Sequence, residues 1–178
     1  MTRHIVLLRG INLVRTNRIS MASLRSALVA DGFREVRTHL QSGNVLLTSG
    51  ASPQRVAQRV RALIRTKFGF DIAVVVRSRD ELAAVVRRNP LAKVAKDPRR
   101  HLVTFLTAEL PRPVVDQLRS VSTQEVFVVA GREIYSWHPD GVGRAPLWEK
   151  LASKAGGTSR NWATVTALLG MLDTQTDR

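Results

Sequence analysis

Arg34-Glu35-Val36-Arg37-Thr38-His39-Leu40-Gln41-Ser42-Gly43-Asn44-Val45-Leu46-Leu47-Thr48 decides the fold of this chain. Arg34 to Leu40 and Val45 to Thr48 read as strands on either side of Gln41-Ser42-Gly43-Asn44, where Gly43 and Asn44 tolerate positive φ. The stretch predicts a β-hairpin. Working outward, His4 to Leu8 is an apolar run that ends at Arg9-Gly10-Ile11-Asn12 and reads as a strand buried on both faces. Between them Ser20 caps a helix with Met21, Leu24, Ala27 and Leu28 on one face, stopped at Gly32. Beyond the hairpin, Ser52 and Pro53 open a second helix that ends near Phe68-Gly69, and Asp71 to Arg77 supplies another strand.

The order βαββαβ is that of the ferredoxin-like unit, two helices on one face of a four-stranded antiparallel sheet. A helical crossover makes the first and second strands parallel, so the end of the first lies at the same sheet edge as the hairpin after the second. The turns at Gly10 and Gly43 are therefore expected to be neighbours. The loop Phe68-Gly69-Phe70 returns to that edge as well.

The later chain repeats the theme. Ser78 with Glu81 forms a capping box for a helix ending before Asn89-Pro90, and Leu91 to Arg100 is a basic connector. His101 to Leu106 reads as a strand, Pro113 to Leu118 as a short helix, and Glu125 to Ala130 with Glu133 to Trp137 as a hairpin about Gly131-Arg132. Pro146 starts a helix through Leu151, Gly156-Gly157 breaks it, and Thr158 or Ser159 caps a last helix through Leu172. The expected fold class is α+β. Two ferredoxin-like antiparallel subdomains, the second modified, are expected to pack into one compact body, with a first lobe over 1–77, a capping helix and connector over 78–100, and a second lobe with a C-terminal helix over 101–178.

Composition bounds the function. At 178 residues and 44% apolar, the chain can bury a sizeable core, and the lack of cysteine excludes disulfides, thiolate metal sites and cysteine nucleophiles. The first apolar run is too short for a signal-peptide core or a membrane span, so a cytoplasmic location and no membrane partner are expected. The net charge is +14. Arg55 to Arg100 holds thirteen bases against four acids, which invites nucleic-acid binding through phosphate contacts. Two features temper that reading. Only five of the 28 bases in the whole chain are lysines, as a GC-rich coding bias gives proteins generally, and Arg55, Arg59, Arg61 and Arg65 fall on the helix face opposite Val56, Val60, Leu63 and Ile64, where a solvated face needs no partner.

Three motifs carry possible chemistry. Arg9 offers a planar fork of donors for phosphate or carboxylate, and Asn12, past a glycine that lets the backbone approach closely, offers both donor and acceptor. Gln41, Ser42 and Asn44 lie beside them, giving the edge one cation and four neutral hydrogen-bonding side chains with no general base. The third motif is Thr158-Ser159-Arg160-Asn161-Trp162 at a helix start, where free amides favour an anion. His4, His39, His101 and His138 lack metal-ligand spacing, so no metal is expected. There is no phosphate-binding glycine loop, dinucleotide fingerprint or nucleophile elbow, and no cofactor is expected.

Leu7-Leu8-Arg9-Gly10-Ile11-Asn12, then Met21 and Leu24, Gln41-Ser42-Gly43-Asn44-Val45, Phe68-Gly69, Asn89-Pro90, Ile134-Tyr135 and Thr158-Ser159-Arg160-Asn161-Trp162 resemble, in order and spacing, the bacterial domain-of-unknown-function family 1697. The resemblance implies two ferredoxin-like subdomains and no established activity. Its implied motif residues are Arg9, Gly10, Asn12, Gln41, Ser42, Gly43, Asn44, Arg160, Asn161 and Trp162. This chain departs from the pattern at Val14-Arg15, where the family usually has a glycine pair, and at Ala163, where it usually has Asn. The expected function is binding of an anionic or nucleotide-like ligand at the edge formed by the two N-terminal turns. The alternatives are nucleic-acid binding through residues 55–100 and an enzyme of unknown reaction using the same edge.

Overall fold

The structure, a computed structural model, describes residues 1–12, 17–120, 124–142 and 157–174. The helix expected from Pro146 to Leu151, Gly156 and the Val14-Arg15 departure lie outside the described residues. Two units divide the chain, 1–84 with 167–178, and 85–166. The divisions fall at residues 84/85 and 166/167.

The first unit contains β1 (Thr2–Leu8), α1 (Met21–Ala30), β2 (Arg34–His39), β3 (Asn44–Ser49), α2 (Pro53–Phe68), β4 (Val74–Ser78) and the start of α3 (Arg79–Arg87). Its sheet has the order β2-β3-β1-β4 with every neighbouring pair antiparallel, as the βαββαβ reading requires. Ser20 Oγ accepts the Ser23 N–H and Ser52 Oγ accepts the Arg55 N–H, so both helices start where their caps stand. Gly69, at φ +81, ends α2 with its N–H on Arg65 O. α2 buries Val56, Val60, Leu63 and Ile64, at helical spacing, while Arg55, Arg59, Arg61 and Arg65 stay exposed. Those apolar residues join Leu24 and Leu28 of α1 and Val6, Leu8, Val45, Leu47, Val74 and Val76 of the sheet in one core.

The other face of this sheet holds a helix end. Arg3 alternates with the core-facing residues of β1, and Arg37 pairs with Leu46, itself opposite Ile5. Arg3 Nη1 donates to Leu172 O at 2.6 Å and Arg37 Nη2 to Met171 O at 2.5 Å, while Arg79 pairs with the Asp173 carboxylate at 2.8 Å. The last carbonyls of a helix have no partner within it and carry the negative end of its dipole; here two guanidiniums satisfy such carbonyls, while the third holds the carboxylate of the last helical residue.

The second unit contains the rest of α3, β5 (His101–Phe105), α4 (Arg112–Arg119), β6 (Val126–Ala130), β7 (Glu133–Trp137), β8 (Thr158–Asn161) and the start of α5 (Trp162–Asp173). Its sheet order, β6-β7-β5-β8, repeats the first, with all pairs antiparallel. Ser78 and Glu81 form the expected capping box, Ser78 N–H on Glu81 Oε2 at 2.7 Å and Glu81 N–H on Ser78 Oγ at 3.1 Å. The core beneath α4 joins Leu106, Leu118 and Ile134, with Val114, Phe127 and Val129 packed against them. No helix among the described residues is long and apolar enough to cross a membrane.

One expectation is overturned here. Thr158 and Ser159 do not cap the last helix, because Thr158–Asn161 is a strand paired to β5, with Thr104 Oγ1 and Ser159 Oγ 2.7 Å apart. Gly157 marks the entry, since a Cβ there would run into Phe105 O. Asn161 does the capping, its Oδ1 accepting the Thr164 N–H at 2.8 Å.

Buried polar groups in this unit are organised around the β6–β7 hairpin. His138 Nε2 lies 2.8 Å from Ser136 Oγ and its Nδ1 lies 2.5 Å from Glu125 Oε1. Ser136 and His138 are both fully buried, so the serine oxygen reaches no substrate and the chain of bonds serves the fold. His101, 1% exposed, stacks on the Trp162 indole with centroids 4.7 Å apart and planes 13° from parallel. Burial, with the His138 charge adding to it, pushes the His101 imidazole down to about 4 from 6.5. The folded protein thus binds this proton less readily than the unfolded chain. Stability from this group is therefore highest above pH 6.5 and is lost as pH falls from 6.5 towards 4. Replacing His101 by Phe keeps the stacking and removes the proton. Urea midpoints measured from pH 7 to pH 4 are expected to fall less steeply in His101→Phe than in the unmodified protein.

Candidate functional site

The first two motifs meet where β1 ends. Leu7 pairs with Asn44 across the ladder, Leu8 N–H donates to Gly43 O at 2.9 Å, and Arg9 N–H donates to Ala73 O at 3.0 Å. The turns at Gly10 and Gly43 are neighbours, and the segment leading into β4 shares their edge. Positive φ falls at Gly10 (65°), Asn12 (52°), Leu40 (58°) and Gly43 (77°), while Asn44, a residue type that tolerates it, is the first residue of β3. Gly43 is required for a second reason. A Cβ on it would stand 2.7 Å from Ile11 Cδ1 and 2.8 Å from Leu8 Cβ, so the buried Ile11 packs directly on the turn.

Asn12 ties this edge together. Its Nδ2 donates to Gln41 O at 2.8 Å and to Ile19 O at 2.9 Å, and its Oδ1 accepts the Ile19 N–H at 2.9 Å. The Asn12 N–H reaches Asn17 O, and the Asn17 amide donates back to Gly10 O at 3.2 Å. Asn44, wholly buried, donates through Nδ2 to His39 O at 2.9 Å and Ser42 Oγ at 3.0 Å. Both asparagines, expected to read a ligand, thus hold the turns in shape. Arg9, Gln41 and Ser42 are exposed. They present a guanidinium, an amide and a hydroxyl on a scaffold fixed by Asn12 and Asn44.

Arg160, Asn161 and Trp162 belong to the second unit and have work there. Arg160, 8% exposed, donates through Nη1 to Thr158 Oγ1 at 2.7 Å and to Ser159 O at 2.8 Å, and burial lowers its guanidinium to about 10. Asn161 is the helix cap, and Trp162 donates its backbone N–H to Pro98 O and lays its ring on His101. Ala163, the departure from the family pattern, is exposed on the first turn of α5.

The basic stretch 55–100 is partly neutralised. Arg61 and Asp71 form a bidentate pair with both bonds at 2.5 Å, which holds the Asp71 carboxyl below its ordinary range. Arg59 meets the Asp31 carboxylate at 2.9 Å and stands 4.4 Å over the Phe33 ring, and Arg77 is buried. Arg59 and Asp31 also line a cleft of about 410 Å³ between α1 and α2, together with Ala27, Leu63, Thr66 and Lys67. Among the described residues, no three His, Asp or Glu side chains gather as a metal site would.

Sequence reasoning missed two features. The Glu125–His138 contact was within reach, because a hairpin about Gly131-Arg132 puts position 125 opposite position 138. The three arginines on the end of α5 had no local signal.

Comparison with known proteins agrees with this architecture. The solved structure of the conserved bacterial protein SP0830 from Streptococcus pneumoniae is similar to this chain at 23% identity, over 96% of this chain and 98% of that one, with a TM-score of 0.76. At that identity the likeness speaks for the fold. No curated protein matches the chain. The family described as protein of unknown function (DUF1697) matches residues 1–135, which include both N-terminal turns and most of the second sheet. On that match over most of its length, the chain belongs to the DUF1697 family.

Proposed function

We propose that this is a cytoplasmic protein that binds an anionic or nucleotide-like ligand at the edge formed by Arg9-Gly10-Ile11-Asn12 and Gln41-Ser42-Gly43-Asn44. The observation that carries the reading is the Asn12 amide, which bridges both turns and leaves Arg9, Gln41 and Ser42 displayed at one edge. Arg9 supplies charge and a fork of donors for a phosphate or carboxylate, and Gln41 and Ser42 supply neutral donors and acceptors for the remaining polar atoms. Asn12 and Asn44 are positioning residues. Gly10 lets the ligand approach the backbone, as a Cβ there would meet nothing within 4 Å yet the φ of +65° favours glycine. Without a carboxylate or imidazole base among these groups, binding is the reading that the inventory supports over catalysis.

A thermal-shift screen of nucleotides and phosphorylated metabolites tests this directly. At least one phosphorylated compound is expected to stabilise the protein, by about 3 kcal/mol at a hundredfold excess over its Kd. Arg9→Ala is expected to weaken that binding about tenfold or more while leaving the unliganded Tm in place. No stabilising compound, or one indifferent to Arg9, sinks the reading. Asn12→Ala tests the scaffold separately. It orphans Gln41 O together with Ile19 N–H and C=O, so urea unfolding is expected to show a loss of about 2 kcal/mol.

A second reading rests on α2, where Arg55, Arg65 and Lys67 remain exposed beside the paired Arg59 and Arg61. Nucleic-acid phosphates would need only that charge. Retention on DNA or RNA is then expected to fall steeply between about 50 and 200 mM salt and to be indifferent to Arg9→Ala. Absent or salt-independent retention removes it.

A further inference from the structure

The two sheets have four edge strands, and three of them are protected against pairing with another chain. β2 carries Arg34, Glu35, Arg37 and His39 and is bulged between Arg34 and Arg37, with Glu35 at φ +51°. β4 is covered, with Val74, Val75, Val76 and Arg77 all buried. β8 is four polar residues long, with Thr158 and Arg160 buried.

The fourth edge is different. β6 reads Val126-Phe127-Val128-Val129-Ala130, five residues with no charge, no polar side chain and no proline. Its ladder to β7 is regular from Val126↔Trp137 to Ala130↔Glu133, so no bulge twists it away. Val126 is 40% exposed, Ala130 is exposed, and the three residues between them are half-buried. Among the described residues nothing hydrogen-bonds to the outer side of β6. An apolar edge of this kind asks for a strand that supplies both backbone partners and apolar side chains.

We infer that β6 is the pairing surface for a second copy of this chain, joined antiparallel about Val128 across a twofold axis into a continuous eight-stranded sheet. The segment is self-complementary in that register. Val128 faces its own twin, Phe127 faces Val129, Val126 faces Ala130, and just beyond the strand Glu125 faces Gly131 and Gln124 faces Arg132. No like charges come opposite each other. Charge also selects this occupant. Residues 106–142 carry three arginines (Arg112, Arg119 and Arg132) against five acids (Glu109, Asp116, Glu125, Glu133 and Asp140), in a chain of net charge +14. At net −2 in a chain of net +14, this stretch lacks the positive excess that would drive two copies apart elsewhere, and an acidic foreign strand has no attraction to it.

Sedimentation of the full chain over a range of concentrations tests the inference. A monomer–dimer equilibrium is expected, with Val128→Lys and Val128→Glu each raising the dimer Kd about tenfold or more, since each places like charges opposite one another. Mixing the two variants is expected to restore association, which a misfolded variant cannot do. Should either variant fail to fold, Val126→Lys at the exposed end of the strand is expected to raise the Kd in its place. A wild-type chain that stays monomeric throughout overturns the inference. So does a dimer that these substitutions leave unchanged.

Discussion

The amide of Asn12 is the constraint on which the N-terminal half depends. One side chain closes three segments that the chain delivers from different directions: the end of β1, the hairpin after β2 and the approach to α1. Backbone polar groups in irregular segments must find partners somewhere, and here a single asparagine provides for Gln41 and Ile19 together. The apolar counterpart is Ile11, seated against Gly43, so that the same pair of turns is locked by hydrogen bonding above and by packing beneath. What stays exposed is left over from that locking, and it is polar and cationic.

The same strand order appears twice in the chain, built from different materials. In the first unit the central strand β1 buries the aliphatic run Ile5, Val6, Leu7 and Leu8, one residue after another, beyond Arg3 and the buried His4. In the second, the central strands carry Thr104, Ser136 and His101 inside; Ser159 lies within hydrogen-bond distance of the threonine and His138, itself held by Glu125, of the serine, while the imidazole is stacked on the Trp162 indole. A sheet filled with aliphatic residues tolerates many sequences of similar volume. One filled with partnered polar groups does not, because removing one partner strands the other in a place without water.

The sequence revealed most where periodicity and turn chemistry were strong. Ser20, Ser52-Pro53, Gly69 and the Ser78–Glu81 box marked helix ends that the structure keeps, and the crossover rule alone brought Gly10 beside Gly43. It misled at Thr158–Asn161, because a four-residue polar edge strand owes its existence to its neighbour β5 and carries little propensity of its own. The roles of Asn12 and Asn44 were likewise out of reach. Composition shows that an amide stands in a turn, but whether it faces a ligand or a carbonyl is decided by residues such as Ile19 and His39 that only folding brings near. The sequence gives the charge of Arg3, Arg37 and Arg79 plainly and their destination not at all, since Met171, Leu172 and Asp173 lie some ninety residues or more along the chain.

Those three arginines bear on the order in which the protein is made. The first unit is discontinuous, its second part beginning only at residue 167, after the whole of the second unit has been synthesised. Chains fold from the N-terminus as they emerge, domain by domain. The sheet of β1 to β4 must therefore stand with Arg3 and Arg37 unmatched to their final carbonyls until the second half of α5 leaves the ribosome. The last described helix is in this sense a closing clasp, and the first unit to begin folding is the last to finish.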